Sequence, residues 1–129
     1  MKVLLAQINF TIGALKLNTD RIIDTLDLYR GKVDIIVFPE LSICGYPPED
    51  LLLHPSFTED CENQLKRIIP KTKGLFVLVG LPRKNSSGKG KPLFNSVAVL
   101  DDTKLLGYKD KTLLPTYDIF DERRYFAEG

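Results

Sequence analysis

The sequence predicts an α/β fold built on a mixed sheet. Three observations carry that expectation. Two short β-branched apolar runs, residues 33–38 and 75–81, read as strands that need cover on both faces. Segments of helical period separate the strand-like runs, giving strand–helix–strand–helix–strand. A hairpin pattern follows them, which predicts antiparallel pairing on one side of the sheet. Taken in order, residues 3–8 read as the first strand. Asn18 is placed to cap a helix running to about Arg30, with Leu17 and Ile22 spaced as a hydrophobic staple. Ile22, Ile23, Leu26 and Tyr29 fall on one face of it, and Gly31 ends it. The second strand, 33–38, is bounded by Gly31 and Pro39. Pro47-Pro48 opens a short helix or turn through Leu53. Ser56 and Glu59 have capping-box spacing, with Phe57, Cys61, Leu65 and Ile68 on one face behind them, and Pro70 stops that helix. The third strand, 75–81, leads into a flexible loop at 85–91. Residues 97–100 and 104–108 flank Asp101-Asp102-Thr103 as a hairpin.

The chain has 129 residues, which is one domain or less, with 43% hydrophobic and 27% charged residues. A net charge of +1 implies no field for nucleic acid or a membrane surface. The carboxylates between Glu49 and Glu62, and the basic group Arg83, Lys84, Lys89 and Lys91, read as solvated surface. Two cysteines give no disulfide framework and point to a reducing compartment. Met1-Lys2 leads straight into the first strand, so no signal peptide is expected. No apolar run approaches the roughly 20 residues of a membrane span. The expected location is the cytoplasm.

The most informative stretch runs from Phe38-Pro39-Glu40-Leu41 through Ser42-Ile43-Cys44-Gly45-Tyr46-Pro47-Pro48-Glu49-Asp50-Leu51-Leu52. It sets a carboxylate, Glu40, directly after an apolar strand, where a charge must be paired or at work. It resembles the general-base segment of the nitrilase superfamily, and Gly45-Tyr46-Pro47-Pro48-Glu49-Asp50 resembles the variant found in glutamine-dependent NAD synthetases. A second stretch, Lys109-Asp110-Lys111-Thr112-Leu113-Leu114-Pro115-Thr116-Tyr117, followed by Phe120-Asp121-Glu122-Arg123-Arg124, is similar to the glutaminase domain of the same family. The two motifs stand in the family's order.

The resemblance implies an α-β-β-α sandwich, of which residues 1–129 would be the N-terminal half, without a second domain. It implies hydrolysis of glutamine to glutamate and ammonia by a Cys-Glu-Lys triad, feeding NAD synthesis from deamido-NAD. Glu40 would be the general base, Lys111 the catalytic lysine, Glu122 a supporting carboxylate and Tyr117 a residue beside the substrate. For Glu122 an ordinary ion-pair network is a rival reading, and for Tyr117 simple packing. The family's nucleophilic cysteine lies further beyond the lysine than the remaining 18 residues reach (129 − 111 = 18), so no nucleophile is expected here. Cys44 fits a small apolar filler better than a nucleophile, and Cys61 reads as core. His54, the single histidine, reads as a loop residue. No His/Cys cluster has metal-site spacing, and no Gly-rich loop before a helix has the spacing that cradles phosphate. No cofactor is expected in this domain; ATP and magnesium would belong to an absent synthetase domain. A half sandwich leaves apolar surface uncovered, which predicts a homo-oligomer. The alternatives are a stand-alone nitrilase-type amidase acting on another small amide, and a non-catalytic fragment or docking subunit.

Overall fold

A computed structural model describes residues 1–114 and 122–129. Five strands form one sheet in the order β1-β2-β3-β4-β5. The elements are β1 (Val3–Leu5), α1 (Leu15–Tyr29), β2 (Ile35–Val37), α2 (Pro55–Ile68), β3 (Phe76–Lys84), β4 (Leu93–Asp101) and β5 (Lys104–Asp110). Short 3-10 turns occupy Glu49–Leu53, Ile69–Lys71 and Glu122–Arg124. β1, β2 and β3 pair in parallel, and β3, β4 and β5 pair antiparallel. The sheet is therefore mixed, as the alternation of strands and helices followed by a hairpin predicts.

The parallel half is built from two consecutive strand–helix–strand crossovers. Because such crossovers share one hand, α1 and α2 lie on the same face and pack on each other. Ile22 and Leu26 of α1 and Cys61, Leu65 and Ile68 of α2 are buried against Ile36, Val77, Val79, Leu81, Ala98 and Leu100 of the sheet. Each such aliphatic side chain contributes roughly 1.5–3 kcal/mol of transfer free energy. The opposite parity of each strand, Val3 and Leu5, Ile35 and Val37, Phe76 and Leu78, Val97 and Val99, is exposed or half-buried. One face of the sheet is thus packed by helices and the other is an apolar surface.

The helix starts differ from the sequence expectation. α1 begins at Leu15 behind Ala14, so Asn18 lies inside the helix. Its side chain is buried and bonds away from its own helix: the amide donates to the carbonyls of Thr11 (2.8 Å) and Ile43 (3.0 Å), and its oxygen accepts from the Thr11 N–H (3.0 Å). A tertiary tie has won over the local cap, and Leu17, about half exposed, makes no staple. α2 begins at Pro55 behind His54, with no side-chain cap. Proline at the first position supplies the helix start instead of Ser56. The strands β3 and β4 are longer than expected, each nine residues. Arg83 is correspondingly part of β3 and not a loop charge. Its Nη2 donates to both oxygens of Asp110 (2.9 and 2.8 Å), and the guanidinium lies over the Tyr108 ring at 4.6 Å. The hairpin after β4 is a two-residue turn, with Asp102 (φ 45°) and Thr103 (φ 72°) both left-handed, the type I′ geometry that matches strand twist.

Beyond β2 the chain folds back on β3. The Phe38 N–H donates to the Leu78 carbonyl (2.9 Å) and the Ile43 N–H to the Gly80 carbonyl (3.1 Å). The Gly80 N–H donates to Ser42 Oγ (3.1 Å). A Cβ on Gly80 would sit 2.4 Å from the Leu41 nitrogen and 2.9 Å from the Pro39 oxygen. Both are backbone atoms that cannot swing aside. Gly80→Ala is expected to cost about 3 kcal/mol or more, beyond the ordinary penalty for overpacking a side chain. Chemical denaturation checks this; a loss under 1 kcal/mol means that the elbow after β2 is free to move.

Candidate active site

Three charged side chains, from the segments that follow β2 and β5 and from the Glu122–Arg124 turn, meet at one point. Glu40 stands in the turn after β2, Lys111 directly after β5, and Glu122 at the start of the Glu122–Arg124 turn. Lys111 Nζ donates to Glu40 Oε1 (2.7 Å) and to Glu122 Oε1 (3.0 Å). One ammonium therefore bridges two carboxylates that are 82 positions apart in the chain (122 − 40 = 82).

Each side chain is held by a different device. Glu40 is aimed by the elbow 39–45. Leu41 takes a left-handed φ of 48°, and the Gly45 N–H donates back to the Leu41 carbonyl (2.8 Å). Gly45 itself has φ 78°, and a Cβ there would meet Ile12 backbone at 2.8 Å, so glycine is needed on both counts. The Ile43 carbonyl is bonded by Asn18, which ties the elbow to the loop before α1. Lys111 is held through its main chain: its N–H donates to the Asn95 carbonyl (2.7 Å), and its carbonyl accepts from the Gly129 N–H (2.9 Å). Glu122 is anchored from the opposite side. The segment after it runs beside β4 through the Ala127 N–H to the Leu93 carbonyl (2.7 Å), while Tyr125 OH donates to Asp50 (2.6 Å).

The two carboxylates are not equivalent. The Glu122 side chain is 5% exposed and the Glu40 side chain 43%. Glu122 Oε1 also accepts from Tyr46 OH (2.8 Å), while its Oε2 is buried with no hydrogen-bond partner among the described residues. Glu40 Oε1 accepts from both Lys111 and the side-chain amide of Asn95 (2.6 Å). No described residue donates to Glu40 Oε2. The geometry therefore separates an anchored carboxylate from one with an oxygen open to a further proton donor. Burial pulls the Lys111 ammonium down, but hydrogen bonds and charge from Glu40 and Glu122 overrule it and raise the group above the usual lysine range. Lys111 is thus a fixed cation at neutral pH.

The structure brings together three of the sequence-expected residues, Glu40, Lys111 and Glu122; Tyr117 lies outside the described residues. The ion-pair reading of Glu122 describes a real contact, in which its partner is Lys111 and not the adjacent arginines. Sequence reasoning missed Tyr46 and Asn95. Tyr46 stands inside the quoted motif, and Asn95-Ser96 is a polar pair inside an otherwise apolar strand, which is the signal that finds it. Cys44 is fully buried, and its thiol faces the carbonyls of Leu41 and Gly45. A hydrogen bond with Cys44, together with burial, pushes the Cys61 thiol up. Both thiols are buried, where a cysteine serves as a small packing group. His54 precedes α2, and among the described residues no group of three His, Cys, Asp or Glu is placed to hold a metal. Among the described residues, no helix is long and apolar enough to cross a membrane.

Comparison with known proteins identifies the family and the fold. The carbon-nitrogen hydrolase profile matches residues 3–129. A glutamine-dependent NAD(+) synthetase from Aquifex aeolicus is 45% identical over 127 residues, covering 97% of this chain and 22% of that protein. The solved glutamine-dependent NAD(+) synthetase of Cytophaga hutchinsonii superposes with a TM-score of 0.91 at 25% identity, over 99% of this chain and 22% of that one. An amidase of the nitrilase superfamily from Nesterenkonia shares the fold, with a TM-score of 0.79 at 20% identity over 48% of its length. The chain spans about a fifth of the synthetases it matches and about half of the amidase.

Because Lys111 is raised, its ion pairs contribute stability fully below the ordinary lysine range, and that contribution is lost as pH rises through the raised value. Lys111→Met is expected to destabilise the fold by about 1–3 kcal/mol near pH 8, since it leaves the buried Glu122 without its counter-charge. The gap to the wild type closes as pH climbs above the usual lysine range. Denaturant midpoints of both proteins against pH check this; a gap that is constant with pH removes the ion pair as its source.

Proposed function

Because the chain belongs to the carbon-nitrogen hydrolase family, we propose that Glu40, Lys111 and Glu122 are its contribution to an amide-hydrolysing site. In this reading the complete protein is a glutamine-dependent NAD synthetase and the amide is glutamine. The observation that carries it is the single ammonium bridged between an exposed and a buried carboxylate. The 45% identity to a synthetase favours that substrate over another small amide.

The chemistry needs each group. A thiol with an ordinary pKa near 8.5 is mostly protonated at neutral pH and needs a base to become a nucleophile. The open oxygen of Glu40 takes that proton as sulfur attacks the amide carbon. Negative charge then builds on the amide oxygen, where the Lys111 ammonium stabilises it. The proton passes to the leaving nitrogen, the C–N bond breaks and ammonia departs. Glu40 next removes a proton from water, which attacks the thioester, releases glutamate and restores the thiol. Glu122 holds Lys111 in place throughout. The thiol comes from outside these 129 residues, since both cysteines here are buried in packing roles. Released ammonia would serve amidation of deamido-NAD at an ATP site elsewhere in the protein.

In the complete protein, Glu40→Gln and Lys111→Met are each expected to lower glutamine-dependent activity by at least 100-fold. Both variants should still form NAD from added ammonia. Residues 1–129 alone should release no ammonia from glutamine. Wild-type glutamine turnover in Glu40→Gln refutes the base assignment, and ammonia release by residues 1–129 that is abolished by Cys44→Ser moves the nucleophile to Cys44.

A further inference from the structure

We infer that Asn95 is the positioning residue of this site, setting through one side chain and one carbonyl both the orientation of Glu40 and the place of Lys111. The inference rests on the reading of Glu40 as a base and deepens it. Asn95 is 3% exposed and sits in β4, paired with Pro82 of β3. The Asn95 carbonyl takes the Lys111 N–H, directly after β5, at 2.7 Å. The side-chain amide reaches the opposite way, to Glu40 Oε1 at 2.6 Å. Next to a carboxylate the amide must present its NH2, because its oxygen would face another acceptor. No other described residue bonds to both Glu40 and Lys111.

Two consequences follow for the chemistry. With Asn95 and Lys111 both on Oε1, the carboxylate cannot rotate without losing two charge-assisted bonds. Oε2 is thereby fixed as the proton-accepting oxygen. The Asn95 donor also favours the ionised carboxylate, and removing it shifts the balance towards the protonated form. Among the described residues, the charged and titratable groups around Glu40 are Lys111 after β5, Glu122 behind it in the Glu122–Arg124 turn, and Tyr46 of the elbow on Glu122. None of these replaces the Asn95 donor.

The test uses the complete protein with Asn95→Leu and Asn95→Asp. Asn95→Asp keeps the side-chain shape if the leucine variant fails to fold. Each is expected to lower kcat for amide hydrolysis about 10- to 100-fold with KM little changed, the scale of one hydrogen bond to a charged group. The acidic limb of the pH–rate profile should move to higher pH in both, further in Asn95→Asp, where a second carboxylate faces Glu40. A merely structural role would lower activity at all pH values and leave that limb in place. Unmoved limbs in folded variants of an active wild type overturn the inference while leaving the amidase reading intact. If the wild type hydrolyses no amide, the reading falls, and a crystal structure of a folded variant decides the inference. Glu40 turned away from Lys111 supports it; the wild-type contacts retained overturn it.

Discussion

The site depends on an absent side chain. Gly80 lets the backbone of β3 approach the elbow after β2 more closely than any Cβ would permit. That approach turns the chain sharply at Glu40 and locks the turn with bonds from Gly80 to Ser42 and Ile43. Everything downstream inherits the position. Gly45 closes against Ile12, Asn18 ties the elbow to the loop before α1, and the open oxygen of Glu40 faces outward from a fixed base. A more widely spaced elbow would leave Lys111 with one carboxylate in place of two.

The electrostatics of the cluster are those of a deliberately unbalanced group. Two carboxylates share one ammonium, so the triad carries one net negative charge. Burial of Glu122 is tolerable because Lys111 and Tyr46 both bond its Oε1. Its second oxygen remains unpartnered among the described residues, while hydrogen bonds and charge from both carboxylates keep Lys111 protonated. Glu40 bears the opposite assignment. It is exposed enough to exchange a proton and restrained enough not to wander. A buried pair with matched charges would be more inert and would have no group left to take a proton.

The sequence revealed the fold class, the order of elements and the three charged residues, because each leaves a local or motif-level trace. Apolar runs mark the strands, and the residues around Glu40 and Lys111 carry the family resemblance. What it concealed is tertiary. Asn18 looks like a cap because its neighbours have cap spacing, yet its partners lie in a loop and an elbow that no local pattern predicts. Arg83 looks like a loop charge because a Gly- and Lys-rich segment follows, yet Asp110 draws it into β3. Asn95 stands out as a polar residue in an apolar strand, yet nothing local ties it to its partner, Glu40, 55 residues away. Only strand register brings the two together.

The sheet's two halves also differ in how soon their pairings can close during folding. β3, β4 and β5 form a meander of near neighbours, β3 and β4 joined by the loop 85–92 and β4 and β5 by a two-residue type I′ turn, so their contacts close small loops. β1 and β2 must wait for helical crossovers and larger loop closures. The strand that carries Gly80 and the strand that carries Asn95 both belong to the meander. The strands on which the elbow rests therefore pair through the smaller loop closures, and the elbow after β2 docks on the part of the sheet whose pairings cost the least chain entropy.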